Sequence, residues 1–360
     1  MGTRFLPFTR RRMLATAGAG AVALALAPRA RAEGVVRVLN WQGYGTDEAW
    51  ALEAFKAATG NTVEHDYFNS EQEMLTKLRT APGTYDVVLI NSSYTGQAAA
   101  EGLIQPIDTS KLSNWGNLIP SYRDNAMLNA DGKVWGESWL FGVTSFAYNT
   151  TKIATRPDSI QILWDPAHAG RVGWRDDAVE SVQMAALATG QDMNNPADMA
   201  AIKAKLEALK GQLATFWSSE DEWNKLMAGD AFDLAVYWSG SAARSKKAFG
   251  LPVEFVIPQE GAIGWLDGLS IAAGAPNPDG AHAFLDYMVS PDFYVRWDTE
   301  VGAPASANQA AMDGLPADAF NRVVLGDPAV GARLQFMAPM SDEQRQSWLD
   351  LWQEVKTSFG

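Results

Sequence analysis

Apolar runs of strand length alternate with helical patterns along the first part of the chain. Strands are predicted at 35–41, 62–68 and 85–90, and helices at 46–59 and from Ser70, where Ser70-Glu71-Gln72-Glu73 has the form of a capping box. The third strand is continuously apolar after Asp86, which is typical of a strand covered on both faces. The order strand, helix, strand, helix, strand predicts a parallel sheet.

The alternation starts again after a strand-like run from Leu140 to Asn149. Further strands are predicted at 170–174, 232–238, 253–258 and 264–271, and helices at 177–189, 198–210, 222–228 and after the turn at 276–280. Ligands of open α/β sheets bind at the carboxyl ends of the strands. The loops after Trp41, Ile90 and Trp238 are therefore the first places to look for a site.

The first 32 residues are predicted to be an export signal and not part of the fold. Arg10, Arg11 and Arg12 precede a small, apolar run at 15–27, and Ala30-Arg31-Ala32 offers small residues for cleavage, a pattern that resembles a twin-arginine signal. A membrane anchor needs about 20 apolar residues, and this run is shorter. We expect cleavage after Ala32 and a mature protein in the periplasm that does not insert into the membrane.

Length, charge and cysteine content narrow the class of protein. A mature chain of roughly 330 residues is long for one core, so two domains are expected. The formal charge of −13 becomes about −19 once the six arginines of residues 1–32 are removed. Such an acidic protein is a poor candidate for binding nucleic acid or anionic lipid and a fair one for binding cations. The absence of cysteine excludes disulfides, a lipid-anchor cysteine and a cysteine nucleophile.

Known motifs of enzymes and cofactor sites are missing from the sequence. His65, His168 and His282 lie far apart and show no metal-ligand spacing, and there is no P-loop and no nucleophile elbow. We therefore expect neither a metal nor another cofactor. Carboxylates such as Asp177 with Glu180 or Asp267 keep an exported hydrolase open as an alternative.

The stretch from Gly173 to Glu180 places acidic groups at the start of a predicted helix. Asp177 and Glu180 have the spacing of a helix cap, and capping alone would explain them. A buried ammonium group, however, also requires acceptor oxygens around it, and it is attracted to the face of a tryptophan. Each tryptophan taken singly is better explained by core packing. The aromatic and acidic residues near the other strand ends are Trp41, Tyr44, Trp238, Trp265 and Asp267.

Several motifs together resemble the spermidine- and putrescine-binding periplasmic receptors of polyamine ABC importers. Asn40-Trp41-Gln42-Gly43-Tyr44 is similar to the opening motif of that family, Asn-Trp-x-x-Tyr, and the segments at 85–88 and 101–108 are similar to its next landmarks. The match runs in order from about residue 35 to residue 304. The segments similar to the ligand-contacting ones are Asp176-Asp177-Ala178-Val179-Glu180, Trp238-Ser239-Gly240-Ser241 and Gly264-Trp265-Leu266-Asp267.

The resemblance implies an α/β fold of the two-lobed, type II-like periplasmic binding protein class, hinged, with the ligand in the cleft between the lobes. We assign residues 33–141 and 266–310 to lobe 1, and residues 142–265 and 311–360 to lobe 2. Tryptophan faces would stack on the polyamine chain, and carboxylates would hold its ammonium ends. The implied ligand-binding residues are Trp41, Tyr44, Asn91, Ser93, Tyr94, Arg175, Asp177, Glu180, Trp238, Trp265 and Asp267.

Some positions depart from the family pattern, and these departures bear on the choice of ligand. Arg175 stands where the family has a small or neutral residue. It either pairs with Asp176 or points to solvent, or it faces the cleft, where its fork would take a carboxylate. The other departures are Asn91, Ser93 and Tyr94 in place of a serine and a tyrosine, Ala303 in place of an aromatic residue, and a missing glutamine near Met337 unless Gln335 serves. Ser241 stands where putrescine-preferring members of the family tend to carry an acid.

Two classes of ligand therefore stay open for this site. The leading ligands are putrescine and spermidine, and the alternative is a zwitterionic amine such as γ-aminobutyrate. The implied partners are the membrane permease and the ATPase of an ABC importer, and we expect the receptor to be a monomer. A role in presenting the ligand to a chemoreceptor would require the same sequence features.

Overall fold

The computed structural model describes residues 34–325 and 327–359, and the predicted export signal lies outside them. Within this part of the chain, no helix has both the length and the apolar character needed for crossing a membrane. The strands are β1 (Val35–Asn40), β2 (Thr62–Tyr67), β3 (Val87–Asn91), β4 (Ile104–Gln105), β5 (Asn129–Ala130), β6 (Lys133–Val134), β7 (Glu137–Asn149), β8 (Val172–Arg175), β9 (Leu213–Trp217), β10 (Leu234–Trp238), β11 (Val253–Val256), β12 (Ala262–Ala272), β13 (Ala305–Ser306) and β14 (Leu334–Phe336). The helices are α1 (Ala49–Thr59), α2 (Glu71–Thr80), α3 (Ser92–Ala100), α4 (Pro120–Arg123), α5 (Ala178–Ala188), α6 (Met199–Glu207), α7 (Glu220–Ala228), α8 (Ser239–Lys247), α9 (Pro278–Met288), α10 (Pro291–Glu300), α11 (Gln309–Asp313), α12 (Pro328–Gly331) and α13 (Asp342–Phe359).

One curled, mixed sheet of 12 strands organises the fold. Its path runs β2-β1-β3-β12-β7-β10-β8-β9, and β5 and β6 form a separate two-stranded sheet. β4 and β14 pair with β12, while β11 and β13 pair with β7. The sheet thus consists of a first strand group, β2-β1-β3, and a second strand group, β10-β8-β9, which two central strands join.

The parallel sheet predicted at the start of the fold is confirmed. β1 pairs in parallel with β2, where Val38 lies opposite His65, and with β3, where Val38 lies opposite Val87. All five residues of β3 are buried, in agreement with its continuous apolar run. The carboxyl ends of β1 and β3, at Asn40 and Asn91, therefore lie at the same edge of the sheet.

The central strands β7 and β12 extend into both strand groups. They have 13 and 11 residues, all of them buried. The two strands run antiparallel, with Phe141 opposite Leu266. On one side of this pair β12 continues along β3 through residues 267–271, and on the other side β7 continues along β10 through residues 144–148. The predicted crossings near residues 141 and 266 correspond to this point, and the lobe boundaries themselves stay a prediction.

Helix starts lie close to their predicted positions, but the hydrogen bonds at them differ in detail. The Ser70 hydroxyl accepts the backbone N–H of Glu73 at 3.2 Å, as the capping box requires. The carboxylate of Glu73 accepts the N–H of Asn69 at 2.9 Å, one residue earlier than predicted. α1 begins at Ala49, three residues late, and ends at Gly60, whose φ of 80° favours glycine.

Two predicted loops are in fact the first turns of helices. α3 begins at Ser92, directly after β3, and α8 begins at Ser239, directly after β10. The prediction of loops was wrong because serine and glycine are typical of turns, and here they form helix N-termini. The side chains at these strand ends are therefore fixed by two regular elements.

The C-terminal helix α13, which was not predicted, completes the core of the second strand group. Its buried residues Trp348, Trp352 and Val355 pack with Trp174 of β8 and with the buried face of α5. β14, just before it, pairs in parallel with residues 262–264 of β12. The segment from Leu334 to Phe359 is thus tied to the strands that lead into the candidate site.

Candidate functional site

Asp267 is the buried carboxylate at the centre of the predicted site. Its Oδ2 accepts the hydroxyl of Tyr44 at 3.0 Å, and its Oδ1 accepts Nδ2 of Asn91 at 3.1 Å. The residue is 7% exposed. Burial raises the pKa of Asp267 to about 7, although the hydrogen bonds from Tyr44 and Asn91 act in the opposite direction. Both donors are neutral groups, so the ionised carboxylate of Asp267 has no positive partner. A cationic ligand would supply that positive charge.

Glu71 is a second carboxylate at the same place, half-buried, and the sequence analysis assigned it only to a helix start. It is the first residue of α2, and its Oε2 is buried without a hydrogen-bond partner. Burial, and next the charge of Asp267, raise the pKa of Glu71 to about 8. The backbone N–H of Asn91 acts against this shift, so Asn91 interacts with both carboxylates.

The helix cap predicted at Asp177 is present, and a ligand role for Asp177 and Glu180 stays a prediction. Oδ1 of Asp177 accepts the N–H of Glu180 at 2.9 Å, so Asp177 is the N-cap of α5. The side chain of Glu180 takes no part in the cap. Its Oε1 accepts the hydroxyl of Thr144 at 3.1 Å and Nε1 of Trp238 at 3.2 Å. Glu180 therefore faces β7 and β10.

Arg175 lies among the acidic and aromatic side chains next to Glu180. Its NH1 lies 2.6 Å from Oε2 of Glu180, its NH2 lies 3.9 Å from Oδ2 of Asp177, and its guanidinium carbon lies 4.6 Å from the centre of the Trp238 ring. Burial disfavours the charge, but Glu180 and Asp177 outweigh burial and raise the pKa of Arg175. The protein's own cation thus fills a position that the family resemblance assigns to a ligand ammonium.

The expected pairing of Arg175 with Asp176 is wrong. Oδ1 of Asp176 accepts Nζ of Lys356 at 2.7 Å and Nε1 of Trp352 at 2.8 Å, both from α13. Neighbouring side chains at a strand end point to opposite faces of the sheet, so Arg175 and Asp176 cannot meet. Asp176 instead ties the end of β8 to α13.

Trp265 lies flat against the backbone of β7 at Gly142. A Cβ atom at Gly142 would stand 2.3 Å from the Trp265 ring, so only glycine leaves room for it. Trp265 is 7% exposed, and its indole N–H is buried without a partner. Trp41, at the end of β1, is half-buried and packs edge-on against Phe68 with ring centres 4.6 Å apart.

Ser93 and Tyr94, in the first turn of α3, have different contacts. Oδ1 of Asn91 accepts the hydroxyl of Ser93 at 2.7 Å and its N–H at 3.1 Å, so Ser93 orients the amide that donates to Asp267. The hydroxyl of Tyr94 accepts NH1 of Arg345, whose guanidinium carbon lies 4.4 Å from the centre of the tyrosine ring. Burial raises the pKa of Tyr94 to about 12.

Arg345 is a member of the site that the sequence analysis missed. It lies in the first turns of α13, and only 9% of it is exposed. The residues 345, 348, 352 and 355 follow the spacing of a buried helix face, so an arginine on that face was the available signal. Arg345 is close enough to Glu71 to lower the pKa of that carboxyl.

A carboxylate from α7, that of Glu220, lies beside Ser241. The Ser241 hydroxyl donates to Oε2 of Glu220 at 2.6 Å, and Nε of Arg244 donates to Oε1 of Glu220 at 2.9 Å. The guanidinium carbon of Arg244 lies 5.9 Å from the centre of the Tyr44 ring. This acid is neutralised by Arg244 and is not free for a ligand.

Two further family positions have hydrogen bonds to other parts of the chain. Oε1 of Gln335 accepts the N–H of Met193 at 3.1 Å, and Gln335 lines a surface groove of about 590 Å³ together with Asp192 and Asn194. It therefore does not serve as the missing glutamine. Ala303 is fully buried, and its carbonyl accepts Nδ2 of Asn321 at 2.8 Å.

Known proteins resemble this chain in sequence and in fold. The family model described as bacterial extracellular solute-binding protein matches residues 50–320. The spermidine/putrescine-binding periplasmic protein of Escherichia coli is 33% identical over 277 residues, which are 75% of this chain and 77% of that protein. Its counterpart in Salmonella typhimurium is 34% identical over the same shares. A solved two-lobed structure, a putative spermidine/putrescine ABC transporter from Listeria monocytogenes, is 26% identical, with a TM-score of 0.78 over 89% of this chain and 98% of that one.

The raised pKa values of Asp267 and Glu71 predict how the stability of the empty protein depends on pH. Both groups ionise near pH 4 in the unfolded chain, and both keep their protons to about pH 7–8 in the folded protein. The folded state then binds more protons, so the free energy of unfolding falls as pH rises through this window. Asp267→Asn and Glu71→Gln should each make the fall shallower by up to about 1.4 kcal/mol per pH unit, measured by urea unfolding from pH 5 to pH 8.

Asp279→Asn is the matched control for this experiment. The Asp279 carboxylate is exposed and pairs with Lys111, and this pair holds its pKa below the usual value. The control should therefore leave the slope unchanged between pH 5 and pH 8. A control slope as shallow as that of Asp267→Asn would contradict the assignment.

Proposed function

Because the chain belongs to the spermidine/putrescine-binding branch of the bacterial extracellular solute-binding proteins, we propose that it is the periplasmic receptor of an ABC importer that captures a small amine. The resemblance noted in the sequence agrees with this family. The relatives are periplasmic proteins, which supports export of this chain, and we propose that the twin-arginine-type segment directs it.

The buried carboxylate of Asp267 is the observation that carries the proposal. It lies on a central strand between the two strand groups, and its two hydrogen-bond donors, Tyr44 and Asn91, carry no charge. A buried carboxylate without a cation is unfavourable, and an ammonium group would restore the balance. Trp265, packed on the neighbouring strand, offers an apolar surface for the methylene groups of the same ligand.

Putrescine and spermidine are the leading ligands because the named relatives bind them. A polyamine has at least two ammonium groups, and the second would compete with Arg175 for Glu180 and Trp238. This competition specifically favours a second candidate, a zwitterionic amine such as γ-aminobutyrate. Such a ligand needs one ammonium position only, and Asp267 provides it.

Delivery to the permease follows from the two-lobed fold. We propose that the lobes close on the ligand by a hinge at the central strands β7 and β12, where each strand passes from one strand group to the other. Contacts made in the closed state alone would drive this motion. The closed receptor would then be recognised by the permease, and the ATPase would drive import.

Removal of the charge of Asp267 should weaken the binding of any amine. In Asp267→Asn, the ammonium is buried beside a neutral amide, and we expect a loss of about 2–5 kcal/mol for putrescine, spermidine or γ-aminobutyrate. Isothermal titration calorimetry measures this loss, with Asp279→Asn as the control of equal charge change. Binding of none of these amines by the wild type would overturn the proposed function, and recovery of chemically altered ligand would indicate a hydrolase.

Removal of Arg175 should increase the affinity for diamines. Arg175→Ala uncovers Trp238 and leaves Glu180 without its cation, so putrescine should bind at least tenfold more tightly, measured by calorimetry. The control is Arg171→Ala. Arg171 lies four residues before Arg175 and pairs with Asp233. Unchanged putrescine affinity in Arg175→Ala would show that Arg175 does not occupy an ammonium position.

A further inference from the structure

Arg345 is a buried cation without an acidic partner. The other two arginines around the cleft are paired, Arg175 with Glu180 and Arg244 with Glu220. Among the described residues, no carboxylate oxygen lies within 4.0 Å of the nitrogens of Arg345, and its Nε is buried with no hydrogen bond. Its one recorded side-chain hydrogen bond goes to the neutral hydroxyl of Tyr94. An unpaired buried guanidinium is costly, so an anion is the group missing from its surroundings.

An unpaired acidic group lies close to this arginine. Glu71 also has a buried oxygen without a hydrogen-bond partner, and the charges of Arg345, Arg175 and Asp267 all act on it. Glu71 and Arg345 nevertheless form no ion pair. They come from α2 and α13, whose buried residues belong to two different hydrophobic cores, and a bound molecule with charges of both signs would satisfy both.

We infer that the ligand is an amine that also carries a carboxylate, with its ammonium group bound by Glu71 and Asp267 and its carboxylate bound by Arg345. This inference rests on the proposed function and decides between its two ligand classes. A guanidinium is suited to this role because its fork of N–H groups matches the two oxygens of a carboxylate. Arg175 is not required for it, because Glu180 and Asp177 already hold that guanidinium.

The remaining groups around Glu71 agree with this arrangement. The charged or titratable side chains that act on it are Asp267 from β12, Arg175 from β8 and Arg345 from α13, and Tyr94 from α3 lies beside Arg345. In the empty protein burial raises the pKa of Glu71 to about 8. An ammonium ligand favours the ionised carboxylate, so binding at pH 7 should release a proton from this group.

Four probes with a four-carbon chain test the inference by calorimetry at pH 7. They are γ-aminobutyrate, putrescine, butylamine and butyrate. The wild type should bind γ-aminobutyrate most tightly, because this probe alone supplies both charges. Arg345→Gln should lower the affinity for γ-aminobutyrate at least thirtyfold and change the affinity for butylamine by less than twofold. Arg79→Gln, which removes the same charge from a partly exposed pair with Glu101, should change neither.

Glu71→Gln provides a readout that a purely structural role would not affect. Titrations in buffers with different ionisation enthalpies give the number of protons released on binding, and this number should fall in Glu71→Gln but not in Glu73→Gln, two residues along the same helix. If Arg345→Gln fails to fold, Arg345→Lys keeps a cation but loses the fork, and it should weaken γ-aminobutyrate selectively.

The failure of this inference is distinguishable from failure of the proposed function. A wild type that binds putrescine more tightly than γ-aminobutyrate would overturn the inference and keep an amine receptor. An equal loss of affinity for γ-aminobutyrate and for butylamine in Arg345→Gln would also overturn it, because that result indicates a general disturbance of the site. A wild type that binds none of the three amine probes would contradict the proposed function itself.

Discussion

A charge that is buried between the two strand groups must be paired inside the protein or removed by protonation, and this constraint shapes the candidate site. The pairs Arg175 with Glu180 and Arg244 with Glu220 satisfy it without a ligand and fix the walls formed by β8, α5, α7 and α8. Asp267 and Glu71 keep their protons instead, since burial raises their pKa values to about 7 and about 8, and Arg345 has no acidic partner among the described residues. In the empty protein these three groups lack a partner of opposite charge, and a ligand with charges of both signs would provide one for each. Binding energy would then be concentrated at a few positions.

Most of the fold could be predicted from the sequence because the signals for it are local. The continuous apolar run before Asn91 predicted a fully buried strand, and the spacing of Ser70 and Asp177 predicted helix caps that the structure contains. The helices after Asn91 and Trp238 were missed because Ser and Gly are common in turns. Packing between distant segments decides whether such a stretch forms a turn or the start of a helix.

The site was only partly predictable, for a similar reason. Strand-end positions and the family resemblance brought together Tyr44, Asn91 and Asp267, which the structure joins by hydrogen bonds. Glu71 was hidden because a capping box explained its neighbours, and Arg345 because it lies beyond the recognisable segment. Pairwise electrostatics cannot be derived from one sequence, since it depends on which elements approach each other across the sheet.

The C-terminal helix α13 lies outside residues 50–320, the segment that defines the family, yet it reaches the cleft through Arg345 and holds the end of β8 through Asp176. If Arg345 binds the ligand carboxylate as proposed, one determinant of ligand preference lies outside that segment, on a helix that also completes the core. A change at position 345 alone would then alter the cargo, while Trp348, Trp352 and Val355 of the same helix would continue to fill the core. A receptor trimmed to its family segment would lose part of the architecture as well, because β1 and α13 lie outside residues 50–320 and belong to the sheet and to the core.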